Sequence, residues 1–118
     1  PPILADRAAV SGALFNLLHN AYKYSGEVKQ IRLEGWAENG WVVLSVLDNG
    51  PGVPRQERRR IFERFYRIDD LLSRQVGGSG LGLAIVRHVA QAHGGRVRVA
   101  NREEGGAVFS ILLPAVAS

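Results

Sequence analysis

Three short stretches of this 118-residue chain carry side chains that could do chemistry together. In "NLLHNAYKY", residues 16–24, Asn16, Asn20 and Lys23 are spaced so that a helix puts them on one face. An amide oxygen is a suitable hard ligand for magnesium, an ion that usually keeps waters and substrate phosphates as its other ligands. Lysine adds a point charge for phosphate. The same stripe also reads as a plain solvated face. In "LDNGPG", residues 47–52, Asp48 can accept a hydrogen bond from an exocyclic amine such as that of adenine, and Gly50 and Gly52 remove side chains where a flat base would lie. An ordinary turn has the same composition. The third stretch, "GGSGLGLAIV" at 77–86, crowds four glycines into six residues ahead of an apolar run.

The glycine cluster fails two nucleotide-loop templates. A P-loop needs Lys and Ser or Thr directly after its last glycine, but Gly82 is followed by Leu83 and Ala84. A dinucleotide fingerprint needs a strand just before its glycines, and "LLSRQV" reads as loop. What survives is general: glycines let backbone N–H groups approach phosphate oxygens, and the positive end of the following helix favours an anion. A flexible, glycine-rich loop leading into a helix is the competing reading.

The elements that must position these residues follow from periodicity. From Asp6 to Tyr24, Val10, Ala13, Leu14, Leu17 and Ala21 recur at helical spacing, with Asp6 as the cap. Two strands follow, joined at Asn39-Gly40, with Ile31 and Leu33 opposite Arg32 and Glu34 and a β-branched run from Val42 to Leu47. After Pro51 and Pro54 a short polar helix is expected, ending in Phe62 and Phe65. A second long helix is expected from Leu81 to His93, apolar round most of its circumference and therefore well buried, stopped by Gly94-Gly95. "RVRVAN" and "AVFSILLP" read as two closing strands, and "AVAS" as a loose tail. This order predicts an α/β layer with helices on one face of a largely antiparallel sheet.

Composition sets the outer limits. With 46% hydrophobic residues the chain can build one core, and two domains would be cramped. The lack of cysteine excludes a disulfide framework and thiolate metal sites. No apolar run approaches the roughly 20 residues of a spanning helix, and no basic-then-apolar leader opens the chain. The 15 Lys and Arg against 11 Asp and Glu could attract nucleic acid, an anionic membrane or a phosphorylated ligand alike. The densest basic cluster, "RQERRR" at 55–60, reads as the wet face of an amphipathic helix. Single-strand binding would interleave aromatic and basic residues on a strand, whereas "RVRVAN" has arginines without aromatics, so no nucleic-acid partner is expected.

In their order and spacing the pieces resemble the ATP-binding catalytic domain of bacterial sensor histidine kinases, in the superfamily that also holds gyrase, Hsp90 and MutL. "NLLHNAYKY" is similar to the N box, "DNGPG" to the G1 box, "IFERFYR" at 61–67 to the F box and "GGSGLGLAIV" to the G2 box. "GGAVFSILLP" resembles the closing strand, and the resemblance covers essentially the whole chain. It implies a Bergerat fold: a two-layer α/β sandwich with a mixed, mostly antiparallel sheet and helices on one face. It implies one ATP-binding domain over residues 1–118, a fragment lacking the dimerisation domain. By resemblance Asn20 would bind the magnesium that bridges the ATP phosphates, with Asn16 in support and Lys23 on phosphate. Asp48 would read adenine, and Gly50 and Gly52 would shape its pocket. Tyr66 and Arg67 would approach the phosphates, Gly80 and Gly82 would donate backbone contacts to them, and Tyr24 and Leu81 would line the nucleotide. Residues 68–79 would form a lid anchored by Phe62 and Phe65.

The resemblance also implies the chemistry. Hydrolysing relatives carry a Glu one turn before the magnesium Asn, where this chain has Asn16, and an amide cannot take up a proton at neutral pH. Phosphotransfer to a histidine on a separate dimerisation domain, and then to a response regulator, is therefore expected, in the cytoplasmic part of a kinase whose membrane segments lie upstream. A serine switch kinase of the same fold and a nucleotide-binding module without transfer are the alternatives. His19, His88 and His93 lack the acidic helical context of a phosphoacceptor. Many relatives carry a hydroxyl residue where Ala107 follows Gly106, which lowers the expected nucleotide affinity.

Overall fold

A computed structural model describes residues 5–25, 29–63 and 82–116. Helix α1 (Arg7–Tyr24) starts where the sequence predicts, because the Asp6 carboxylate accepts the Ala9 N–H at 3.1 Å and satisfies one orphan donor of the first turn. It ends at Ser25, whose buried hydroxyl donates to the Ala21 carbonyl at 2.5 Å. Strands β1 (Arg32–Glu38) and β2 (Trp41–Leu47) form a hairpin. Its turn residues, Asn39 at φ 49° and Gly40 at φ 83°, both take the left-handed conformation that a two-residue hairpin loop demands.

Among the described residues the polar helix expected after Pro54 is seen as a 3-10 turn, Arg55–Glu57, followed by turns through Phe62. Pro54 offers no capping side chain, and a segment this short cannot offset the cost of helix nucleation. Phe65, like the proposed lid, lies outside the described residues. Helix α2 (Gly82–Ala92) closes as a Schellman motif. Gly95 N–H donates to Ala90 O at 2.8 Å and Gly94 N–H to Gln91 O at 3.0 Å, with Gly94 in the left-handed region. Burial of α2 is narrower than its apolar composition predicts. Val86 and Ala90 are fully buried, whereas Ile85 is 46% exposed, since α2 meets α1 and the sheet on one side only.

Strands β3 (Arg96–Asn101) and β4 (Ala107–Pro114) complete a sheet of order β1-β2-β4-β3. Among the described residues every pairing is antiparallel, so the mixed component of the expectation has no counterpart there. The tail is firmer than expected at its start, since Ala115 N–H donates to Gly40 O at 2.9 Å. Alternation sorts the sheet into two faces. Val46, Val99, Phe109, Ile111 and Leu113 face α1 and α2 and meet Ala13, Leu17, Ala21, Val86 and Ala90 in one core. On the opposite face Ser45 and Ser110 share a buried 2.6 Å hydrogen bond. Long side chains shelter that face, with Arg96 lying 5.3 Å from the Trp41 ring and Arg98 paired to Glu38 at 3.8 Å.

The histidines serve structure. His93 Nδ1 donates to Val89 O at 2.8 Å, which leaves Nε2 to accept the Asp6 N–H at 2.9 Å, so one neutral ring ties the end of α2 to the start of α1. His19 stacks on Phe15 with centroids 6.0 Å apart, and both lie on the exposed side of α1. Two large apolar residues of α1 therefore contribute very differently. Leu17, 1% exposed, should cost about 2–5 kcal/mol when cut to alanine. Phe15, 67% exposed, should change stability by no more than about 0.5 kcal/mol. Urea unfolding of Leu17→Ala and Phe15→Ala measures both.

Candidate functional site

The end of β2 delivers Asp48 to the seam between the hairpin and β4. Its carboxylate is buried at 3% exposure, and a buried charge is tolerated only where hydrogen bonds replace water. Oδ1 accepts the N–H of Gly50 at 2.9 Å and of Ala107 at 3.2 Å. The Asp48 backbone is held as well: its N–H donates to Ala107 O at 3.0 Å, and its carbonyl accepts from Arg102 Nη1 at 3.0 Å. The second oxygen, Oδ2, takes no hydrogen bond from the described residues. Asp48 is therefore a fixed acceptor with one oxygen committed to the fold and one left over.

Two glycines make this seam possible. A Cβ on Gly106, already at φ 101°, would fall onto the Asp48 carbonyl oxygen and crowd Asn49 Cα at 2.9 Å. A Cβ on Gly50 would come within 2.5 Å of Tyr24 O, so the loop after Asp48 lies directly on the C-terminal end of α1. Gly52 sits against the Asn101 amide, which also accepts the Val53 N–H at 2.7 Å and pins the loop to the end of β3.

Helix α1 carries the wall onward from Tyr24. Asn16, Asn20, Lys23 and Tyr24 are all half-buried, spread over about 12 Å of helix. Asn20 and Lys23 engage no hydrogen bond or ion pair among the described residues. Asn16 Nδ2 donates to Gly12 O at 3.0 Å, and its Oδ1 lies 3.2 Å from the Cβ position of Gly82, the first residue of α2. The positive end of α2 thus abuts the asparagine stripe, an arrangement suited to an anion. Helix α1 thus meets the loop after Asp48 at Tyr24 and the start of α2 at Asn16. Tyr66, Arg67, Gly80 and Leu81 lie outside the described residues.

The supporting groups were not all legible beforehand. Asn101 and Arg102 hold the loop and the Asp48 carbonyl, yet in sequence they only end a strand. Ala107 supplies its backbone N–H and C=O to Asp48, a contribution that does not depend on its side chain.

Residues 5–117 match the family model described as histidine kinase-, DNA gyrase B-, and HSP90-like ATPase. The sensor-like histidine kinase SenX3 of Mycobacterium tuberculosis is 40% identical over 114 residues, covering 97% of this chain and 28% of that protein. Among solved structures, the mycobacterial sensor histidine kinase MprB superposes with a TM-score of 0.84 at 35% identity, covering 98% of this chain and 76% of that one. Full-length ShkA in complex with AMPPNP gives a TM-score of 0.82 at 38% identity, covering 100% of this chain and 24% of that one. The chain belongs to this ATPase family. Within it, it is a histidine kinase ATP-binding domain of the sensor kinases, and it spans less than a third of SenX3.

The Gly106 geometry carries its own test. Gly106→Ala should lower stability by about 1–3 kcal/mol, since it strains a left-handed residue and pushes the Asp48 backbone from its place. Urea unfolding monitored by circular dichroism reads the loss.

Proposed function

We propose that residues 1–118 act as the single ATP-binding catalytic domain of a longer sensor kinase, transferring the γ-phosphoryl group of ATP to a histidine on a separate dimerisation domain. A response regulator then receives the phosphoryl group, and the domain works in the cytoplasmic part of its parent kinase. The observation that carries this reading is the buried Asp48 carboxylate, with Oδ1 satisfied by Gly50 and Ala107 and Oδ2 uncommitted at the edge of a glycine-lined seam. An exocyclic amine donates to such an oxygen; a carbonyl in the same place would meet acceptor against acceptor. Adenine is thus distinguished from guanine.

From the base, Gly50, Gly52 and Tyr24 lead to the α1 stripe, where Lys23 neutralises phosphate charge. Asn20, supported by Asn16, would hold magnesium by its amide oxygen. No cluster of three His, Cys, Asp or Glu stands among the described residues, so the ion would complete its shell with water and phosphate. Bound there, it supplies charge neutralisation on the phosphates. Gly80, Leu81 and Gly82 would present backbone N–H groups to the phosphates, with Tyr66 and Arg67 closing over them. The AMPPNP bound to the related ShkA supports a nucleotide in this fold.

The transfer itself needs little from this chain beyond positioning. A histidine nitrogen attacks the γ-phosphorus, the bond to the β–γ bridging oxygen breaks, and ADP leaves with the electron pair. Water is a poor competitor, because Asn16 occupies the place from which a carboxylate would take its proton.

ATP titration with and without magnesium tests the assignment. Asp48→Asn should keep its Oδ1 contacts and its unfolding midpoint, yet weaken ATP about 10–100-fold by facing the adenine amine with a second donor. Undiminished selectivity of that variant for ATP over GTP would remove Asp48 from the site. Asn20→Ala should abolish most of the magnesium dependence. Adding a separately made dimerisation domain should yield acid-labile phosphate on histidine; acid-stable phosphoserine instead would indicate a serine kinase.

A further inference from the structure

The turn between β3 and β4 lies directly on the backbone of Asp48. Gly105 and Gly106, at φ 99° and 101°, bend the chain there. The Arg102 N–H donates to Gly106 O at 2.9 Å and the Gly105 N–H to Arg102 O at 3.2 Å, which closes the turn. Gly106 leaves no room for a side chain between the turn and the Asp48 carbonyl, so that side of the carbonyl is shut off from water. A carbonyl enclosed in this way needs a donor from the protein. Among the described residues the donor it receives is Nη1 of Arg102, at 3.0 Å and 54 positions away in the chain.

The rest of the guanidinium is loosely engaged. Glu104 Oε1 lies 3.3 Å from Nε, but the Glu104 side chain is 70% exposed and Nε makes no hydrogen bond to it, so this pair adds little. No ion pair joins Arg102 to the Asp48 carboxylate among the described residues. The arginine, its side chain only 16% exposed, is thus committed to the peptide that links Asp48 to Asn49. That peptide leads straight into Gly50, whose N–H is held by Asp48 Oδ1 at 2.9 Å. Rotating it would carry the Gly50 N–H away from Oδ1 and turn the carboxylate, so the direction of Oδ2 follows from the peptide plane that Arg102 fixes.

We propose that Arg102 is a positioning residue for base recognition: by gripping the Asp48 carbonyl it sets the direction in which Oδ2 is offered to an exocyclic amine. The inference rests on the reading of Asp48 as the base acceptor. Its effect is geometric, because the guanidinium holds the carbonyl and leaves the carboxylate unpaired. Arg102 therefore governs how well an amine is told from its absence, and has no part in holding the phosphates.

The test compares ATP with purine riboside triphosphate, which is ATP without its exocyclic amine, each titrated with magnesium into the 118-residue chain and its Arg102→Met variant. Wild type should prefer ATP. Arg102→Met should weaken ATP about tenfold and leave purine riboside triphosphate unchanged, so that the preference collapses. Equal weakening of both nucleotides would make Arg102 merely structural, and an undiminished preference in the variant would remove it from base recognition; both overturn the proposal while leaving Asp48 in place. Equal binding of the two nucleotides by wild type would instead overturn the reading of Asp48, and this proposal with it. Should Arg102→Met fail to fold, the guanidinium nitrogen resonances of Arg102 in the wild type serve in its place. They should shift further with ATP than with purine riboside triphosphate, and identical shifts would overturn the proposal.

Discussion

The carboxylate of Asp48 is the constraint on which the rest of the molecule turns. Placing a charge at 3% exposure forces the surrounding backbone to supply donors, and the two that do so come from chain segments 57 residues apart, at Gly50 and Ala107. Strand β4 must therefore begin beside the end of β2, as their register from Trp41↔Pro114 to Leu47↔Val108 shows. Gly106 must lack a side chain so that the turn before β4 can lie on the Asp48 backbone, and Arg102 secures that backbone from outside. The fold thus stabilises the one oxygen it uses and, by doing so, orients the one it does not. On the proposed function, recognition of a base amine would come as a by-product of holding a buried charge in place.

Helix α1 extends this constraint toward the start of α2. It touches the loop after Asp48 at one end, through Tyr24 O and Gly50, and the start of α2 toward the other, through Asn16 and Gly82. Its adjoining face packs Ala13, Leu17 and Ala21 into the core, so the polar stripe is anchored along the core's border. His93 adds a clamp between the two helices at the far end of α2. The hairpin, both helices and β4 are thereby tied together along one line of contacts from Asp48 to Gly82.

Local chemistry made much of this legible in the sequence. Asn39-Gly40 specified its turn because two consecutive positive φ angles exclude most other residues, and Asp6 specified its cap because a short acceptor was needed there. Asn16, Asn20 and Lys23 could be placed on one face by helical geometry alone. What escaped depends on contacts distant in the chain. The exposure of Ile85 follows from how α2 is seated on α1 and the sheet, and the roles of Asn101 and Arg102 follow from a loop some 50 residues earlier. Likewise "RQERRR" gave no sign that Pro54 would limit it to a single 3-10 turn.

That last difference changes what the basic excess means. As one wet helix face, the arginines at 55–60 would have been screened, separate and without consequence. In the folded chain they divide: Arg60 pairs with Glu63 at 3.7 Å, while Arg58 and Arg59 line a hollow with Phe62, Arg87, Val97 and Val99. Arg32 is matched locally by Glu34 at 3.2 Å and Arg102 by Glu104 at 3.3 Å. Among the described residues Arg58, Arg59 and Arg87 thus stand together without an ion-pair partner, beside apolar side chains that strengthen their field.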